Sequence, residues 1–186
     1  MSGISSQQTA STPARFGLWP YLLAMVLVVV SANVLVQYPI NDWLTWGAIT
    51  YPLAFLLTDL CNRRFGPQQA RRLVWGGFVV AVLLSAWLAT PRIALASGSA
   101  FLLAQMLDVR LFDRWRHAGQ WWLPPLLSSS IGSALDTAWF FSVAFVGTGL
   151  PWLTWALGDY LVKLIIALLL LLPYRSISVR QRGQAR

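Results

Sequence analysis

Residues 123–146 read LPPLLSSSIGSALDTAWFFSVAFV, a run of apolar, aromatic and small residues interrupted by one charge, Asp136. The run is long enough to cross a bilayer as a helix, which takes about 20 residues. A carboxylate in the middle of such a helix costs roughly 2.5–3.5 kcal/mol on insertion scales, so it faces a partner, a cavity or a transport path. All six acidic residues of the chain are Asp, and Asp59 and Asp108 also fall in or at the ends of apolar runs.

Composition places the whole chain in the same setting. Of its 186 residues, 57% are hydrophobic and 11% are charged, against roughly 25% charged in a soluble domain. Eleven Trp and nine Phe fit membrane interfaces, where aromatic rings collect. One cysteine, Cys61, and one histidine, His117, exclude an internal disulfide and a multi-histidine metal centre. Neither a cofactor nor a metal is expected. The net charge of +8 comes largely from arginines in short loops, a pattern of membrane topology rather than of a nucleic-acid-binding face.

Apolar runs and their Pro, Gly and charge punctuation predict six spans, at 18–36, 43–60, 73–89, 93–109, 123–146 and 152–172. The third and fourth meet at a tight turn, Thr90-Pro91-Arg92. Residues 1–17 form a polar tail, rich in Ser, Gln and Thr over residues 1–16, and residues 173–186 a basic one, leaving one all-α domain, a six-helix transmembrane bundle over 18–172. The first span is too long for a signal-peptide core of 7–15 residues. With six spans, Arg15, Arg63, Arg64, Arg71, Arg72, Arg110, Arg114, Arg116, Arg175, Arg180, Arg182 and Arg186 fall on one side and Arg92 on the other. The positive-inside rule then places both termini in the cytoplasm.

Within the spans, a few polar residues carry the chemistry. Pro52 is expected to kink or break span two, because it removes a helix hydrogen bond. Asp59 and Asn62 share a helix face, with Tyr51 and Phe55 on a similar side. Asp59 is four residues before Arg63, so an interfacial ion pair is the alternative to a ligand role. Gln105 and Asp108 repeat the three-residue offset; the alternative for Asp108 is an interfacial role beside Arg110. Ser129, Gly132 and Ser133 lie on the face of Asp136, where small residues also serve close helix packing. Asp159 and Lys163, the single lysine, are four apart with the acid first, the favoured order for a helical pair. At 1.5 Å per residue, Asp136 lies about 15 Å and Lys163 about 17 Å from the outer face. A structural pair between them is therefore the alternative to a substrate role for Asp136. There is no GxxxxGK[ST] loop and no Ser/His/Asp constellation, so the chain is expected neither to hydrolyse ATP alone nor to be an enzyme.

Three runs, TYPLAFLLTDLCNRRFG at 50–66, FLLAQMLDVRLF at 101–112 and SSSIGSALDTAWFF at 128–141, together resemble the queuosine precursor transporter family, earlier described as vitamin uptake transporters. The resemblance covers roughly residues 18–175. It implies uptake of 7-cyano-7-deazaguanine and its aminomethyl counterpart across the bacterial inner membrane. It also carries over Asp59, Asn62, Gln105, Asp108 and Asp136 as polar motif positions, to which Ser133 and Tyr51 are added as substrate-binding candidates. The chemistry suits such a ligand. A guanine-like edge presents N–H donors that a carboxylate or amide accepts, and its face stacks on aromatic rings such as Tyr51, Phe55, Trp139 or Phe140. Partners expected are this small molecule and the lipid bilayer, with further copies of the chain as an option and no nucleic acid. A capture subunit serving a separate ATPase, and a scaffold whose aspartates only make ion pairs, are the competing readings.

Overall fold

The computed structural model describes residues 17–35, 38–41, 44–88 and 90–183. The expected tail over 1–16, the ends of the first and third expected spans at 36 and 89, the start of the second at 43, and Arg186 lie outside the described residues. The chain is nearly all helical, with α1 Trp19–Leu35, α2 Trp46–Thr50, α3 Leu53–Phe65, α4 Pro67–Leu88, α5 Pro91–Trp115, α6 Leu123–Phe145 and α7 Trp152–Gly183. A short antiparallel pair, β1 Pro39–Asn41 and β2 Leu44–Thr45, lies between α1 and α2. This pair departs from the expected all-α chain, at a point where Pro39 and Asn41 disfavour helix.

Among the described residues, three helices are long and apolar enough to cross a membrane: Pro67–Trp87, Pro91–Trp115 and Trp152–Arg180. A shorter apolar helix covers Trp19–Leu35, and α6 has the length, at 23 residues, but carries the serine run. The expected span at 43–60 is divided. Pro52 is the N-cap of α3, and α3 alone, at 13 residues, reaches about 20 Å at the α-helical rise. Helices α4 and α5 outrun the apolar stretches expected at 73–89 and 93–109, because the Gln and Arg residues flanking those stretches are good helix formers. The last helix likewise continues past Pro173 to Gly183, so helix covers most of the segment expected as a basic tail.

Capping groups hold the junctions. Gly66 alone separates α3 from α4, at φ 85°, a conformation that glycine adopts without steric cost. Thr90 caps α5 by accepting from the Ile93 N–H. The guanidinium of Arg92 donates to the Val143 and Val146 carbonyls at 2.9 and 2.6 Å, closing the C-terminal end of α6. Arg116 does the same for α3, donating to the Asn62 and Arg63 carbonyls at 2.6 and 3.3 Å.

Helix α6 packs most extensively on α5, with α7 on its flank and α1, α3 and α4 completing the bundle. The apolar centre is built from Met25, Val29, Ala54, Leu73, Val74, Phe101 and Val109. Close approach of α6 to α3 depends on Gly132, where an added Cβ would stand 2.8 Å from Phe55 Cε1. The outward side of α7 shows Leu153, Leu157, Leu161, Ile165, Leu168 and Leu172, all exposed and repeating every three or four residues along one helix face.

Candidate functional site

The site is assembled where α6 and α7 cross beside Tyr51. Asp136 projects from α6, and Lys163 from α7 meets it with Nζ 2.8 Å from Asp136 Oδ2. One turn earlier on α7, Asp159 sits 2.5 Å from the same ammonium. Thr137 Oγ1 completes the set, accepting from Lys163 at 3.1 Å and donating to Asp159 Oδ2 at 2.7 Å. An ammonium has three N–H donors, and all three have partners here. Tyr51 donates its hydroxyl to Asp136 Oδ1 at 3.0 Å, while its ring lies 5.4 Å from the ammonium, within the range of a cation–π contact. Asp136 and Lys163 are both only 5% exposed. With all three groups ionised, two carboxylates and one ammonium leave the cluster with one net negative charge. Each carboxylate offers about four lone-pair sites, so acceptor capacity remains for a ligand.

Tyr51, Asp136, Asp159 and Lys163 of this cluster line a cavity of about 320 Å³, together with Ala32 and Asn33 of α1, Gly47 and Ala48 of α2, Ser97 and Ala100 of α5, and Phe140, Phe141 and Phe145 of α6. The three phenylalanines pack on one another, and Trp155 stands edge-on to Phe145. A second, much smaller cavity of about 20 Å³ is lined by Asp59, Ser129, Ser133 and Lys163 among apolar neighbours. Lys163 borders both.

The seven side chains expected at a substrate site therefore separate. Tyr51 and Asp136 line the larger cavity; Asp59 and Ser133 line the smaller; Asn62, Gln105 and Asp108 line neither. Those three are nonetheless fully buried. Asn62 donates to the Val109 carbonyl at 3.0 Å, and Gln105 Oε1 accepts from Thr58 at 2.8 Å. Asp59 is not paired with Arg63. Its two oxygens accept from Ser128 and Ser129, each at 3.2 Å, while Arg63 donates to the Arg116 carbonyl at 2.8 Å. Asp108 is buried inside the bundle, at 0% exposed, and none of the ion pairs among the described residues joins it to Arg110. Of the aromatic candidates for stacking, Phe140 and Tyr51 reach the larger cavity, Phe55 lines the smaller, and Trp139 points away to bond Ser99 Oγ at 2.9 Å. Asn33, Phe141 and Phe145 also line the cavity without having been singled out in the sequence. The crowding of aromatics at 139–145 was the available signal for the last two, whereas nothing marks Asn33.

Membrane-length apolar helices around a buried charged cluster and a cavity define a multi-pass membrane protein with an internal polar site. The chain belongs to the family whose model, described as "Putative vitamin uptake transporter", matches residues 45–90 and 84–177. It is 36% identical over 176 residues to the "Queuosine precursor transporter" of Escherichia coli (strain K12), with 80% of each chain covered. A "Probable queuosine precursor transporter" of Haemophilus influenzae is 35% identical over 188 residues, again with 80% of each covered. One of that name from Bacillus subtilis is 30% identical over 159 residues, or 70% of this chain and 69% of the other. No solved structure matches.

Proposed function

We propose that this chain imports queuosine precursors, 7-cyano-7-deazaguanine or its aminomethyl counterpart, across the bacterial inner membrane. The observation that carries this reading is the 320 Å³ cavity with the Asp136–Lys163–Asp159 cluster and Phe140 on its wall. Its size is that of a small-molecule site, and its few polar groups converge on an otherwise apolar lining. Asp136 and Asp159 accept the N–H groups of the base edge, Tyr51 and Lys163 hold Asp136 in place, and Phe140 stacks on the ring. The net negative charge suits a donor-rich base and suits the aminomethyl cation still better. The names of the three relatives point to the same substrate class.

In this reading α2 and α3 make one interrupted crossing, which lines the cavity where its backbone is irregular. Six crossings put both termini in the cytoplasm, supported by the arginine distribution. The outward face of α7 carries large aliphatic side chains rather than the small residues of a helix–helix seam, which favours lipid over a partner subunit there. The test is rescue of queuosine in tRNA. Cells unable to make the precursor and lacking their own transporter are supplied with low external 7-cyano-7-deazaguanine. Expression of this chain is expected to restore queuosine and Asp136→Asn is expected not to. No restoration by the unaltered chain would sink the reading.

A further inference from the structure

Away from the larger cavity, α3, α5 and α6 bring two carboxyl groups together in a dry seam. Asp59 and Asp108 are 1% and 0% exposed, and both face the same stretch of α6: Ser128 and Ser129 donate to Asp59, and a Cβ on Gly132 would stand 3.5 Å from Asp108 Cβ. None of the three ion pairs among the described residues involves either one. The two partners differ in their surroundings. Asp59 accepts hydroxyl hydrogens from Ser128 and Ser129, which suits a carboxylate. Both oxygens of Asp108 are buried without a donor, as is the neighbouring Oδ1 of Asn62. A buried acceptor with no donor is costly, and two carboxylates sharing one site do not both stay ionised. One proton on Asp108 resolves both problems, because it removes one of the two buried charges and leaves Asp59, the partner with hydroxyl donors, as the carboxylate.

The groups facing the pair are few. Ser128 and Ser129 reach it from α6, and Lys163 and Tyr174 of α7 share the small cavity with Asp59. Arg116 is bonded to the C-terminal end of α3. Packing on α3 from α4 is apolar, through Ala70, Leu73 and Val74. The small cavity, at about 20 Å³, has room for one water and offers it Asp59, Ser129 and Ser133 as partners, with Lys163 on its wall. It therefore joins the carboxyl pair to the lysine that borders the ligand cavity.

We propose that Asp59 and Asp108 form a proton site that holds one proton between them, and that its loading and release drives uptake, with Lys163 linking it to the ligand cavity. The coupling half rests on the transporter reading above; the proton site stands without it. A ligand that shifts Lys163 changes the field across the small cavity at Asp59, so proton affinity and ligand occupancy become reciprocal.

Two measurements test this. Infrared difference spectra of the purified protein at neutral pH are expected to show a protonated-carboxyl stretch that is lost in Asp108→Asn and shifted in Asp59→Asn, where Asp108 stays buried. Should Asp108→Asn fail to insert, the shift in Asp59→Asn carries the readout. In proteoliposomes, an inward gradient of one pH unit is expected to raise accumulation of labelled 7-cyano-7-deazaguanine up to about tenfold for one-to-one coupling. In both variants the ratio with and without the gradient is expected to fall to one. A wild-type protein without the band, a band that survives in Asp108→Asn, or one unshifted in Asp59→Asn, overturns the proton site. A band with gradient-independent uptake overturns the coupling. Absence of any deazaguanine uptake by the wild type strikes the transporter reading instead, and leaves the infrared result to stand for the pair.

Discussion

Replacing Lys163 with Met, beside Asp136→Asn as its counterpart, separates what the charged cluster does for stability from what it does for ligand. Lys163 is 5% exposed and spends all three N–H groups on Asp136, Asp159 and Thr137. Methionine there leaves the buried Asp136 and the half-buried Asp159 without a cation, and breaking a buried pair in this way costs about 3–5 kcal/mol. Asp136→Asn is milder. Lys163 keeps Asp159 at 2.5 Å, so the loss is that of charge-assisted bonds, about 1.5–3 kcal/mol. At about 2–4 °C per kcal/mol for a chain of this size, Lys163→Met falls by roughly 6–20 °C and Asp136→Asn by roughly half of that. Thermal unfolding of detergent-purified protein at one fixed scan rate, followed by tryptophan fluorescence, reads the order. Binding of labelled precursor to the same samples is expected to be lost in Asp136→Asn although the protein is folded. An Asp136→Asn protein less stable than Lys163→Met, or one that binds precursor normally, would refute the division of roles.

Other consequences follow from single contacts. Tyr51→Phe removes the hydroxyl bond to Asp136, and at about 1.5 kcal/mol for a bond to a charged group it is expected to weaken precursor binding roughly tenfold in equilibrium titration. Phe140→Ala is expected to cost about 1–3 kcal/mol of binding through lost stacking, with the unfolding temperature changed little by comparison. Gly132→Ala drives a methyl to 2.8 Å from Phe55; overpacking of this kind costs about 1–3 kcal/mol, and Phe55→Leu in the same chain is expected to recover part of the lost unfolding temperature.

Much of the helical order is legible in the sequence, for reasons that differ along the chain. Hydrophobic runs locate α1, α6 and the apolar parts of α4, α5 and α7, since burial in lipid or protein leaves a compositional mark. They do not locate helix ends, because Gln68, Gln69, Arg71 and Arg72 continue α4 as readily as apolar residues do. Pro52 marks the break in the second expected span through its missing N–H. At the site, counting residues inward from a shared loop is enough to bring Asp136 level with Lys163, since depth along two antiparallel neighbours depends only on helical rise. Spacing within one helix misleads for Asp59 and Arg63. Four residues apart, they could pair, but two serine hydroxyls from α6 take Asp59 and a carbonyl at the end of α5 takes Arg63. Such choices depend on which faces of different helices converge, as do the burial of Asp108 and the place of Asn33 on the cavity wall. Arg92 shows the same limit. The span count yields only an expected side of the membrane for it, while its two bonds to the end of α6 follow from the fold.

The central claim, that the charged cavity between α1, α6 and α7 carries a deazaguanine across the membrane, is met most directly by counterflow in proteoliposomes. Vesicles holding the purified chain are preloaded with unlabelled 7-cyano-7-deazaguanine and then exposed to the labelled compound. The account predicts saturable entry of label well above protein-free vesicles, competed by the aminomethyl counterpart and abolished by Asp136→Asn. Entry equal to that of protein-free vesicles, from a folded protein with its charged cluster intact, would contradict it.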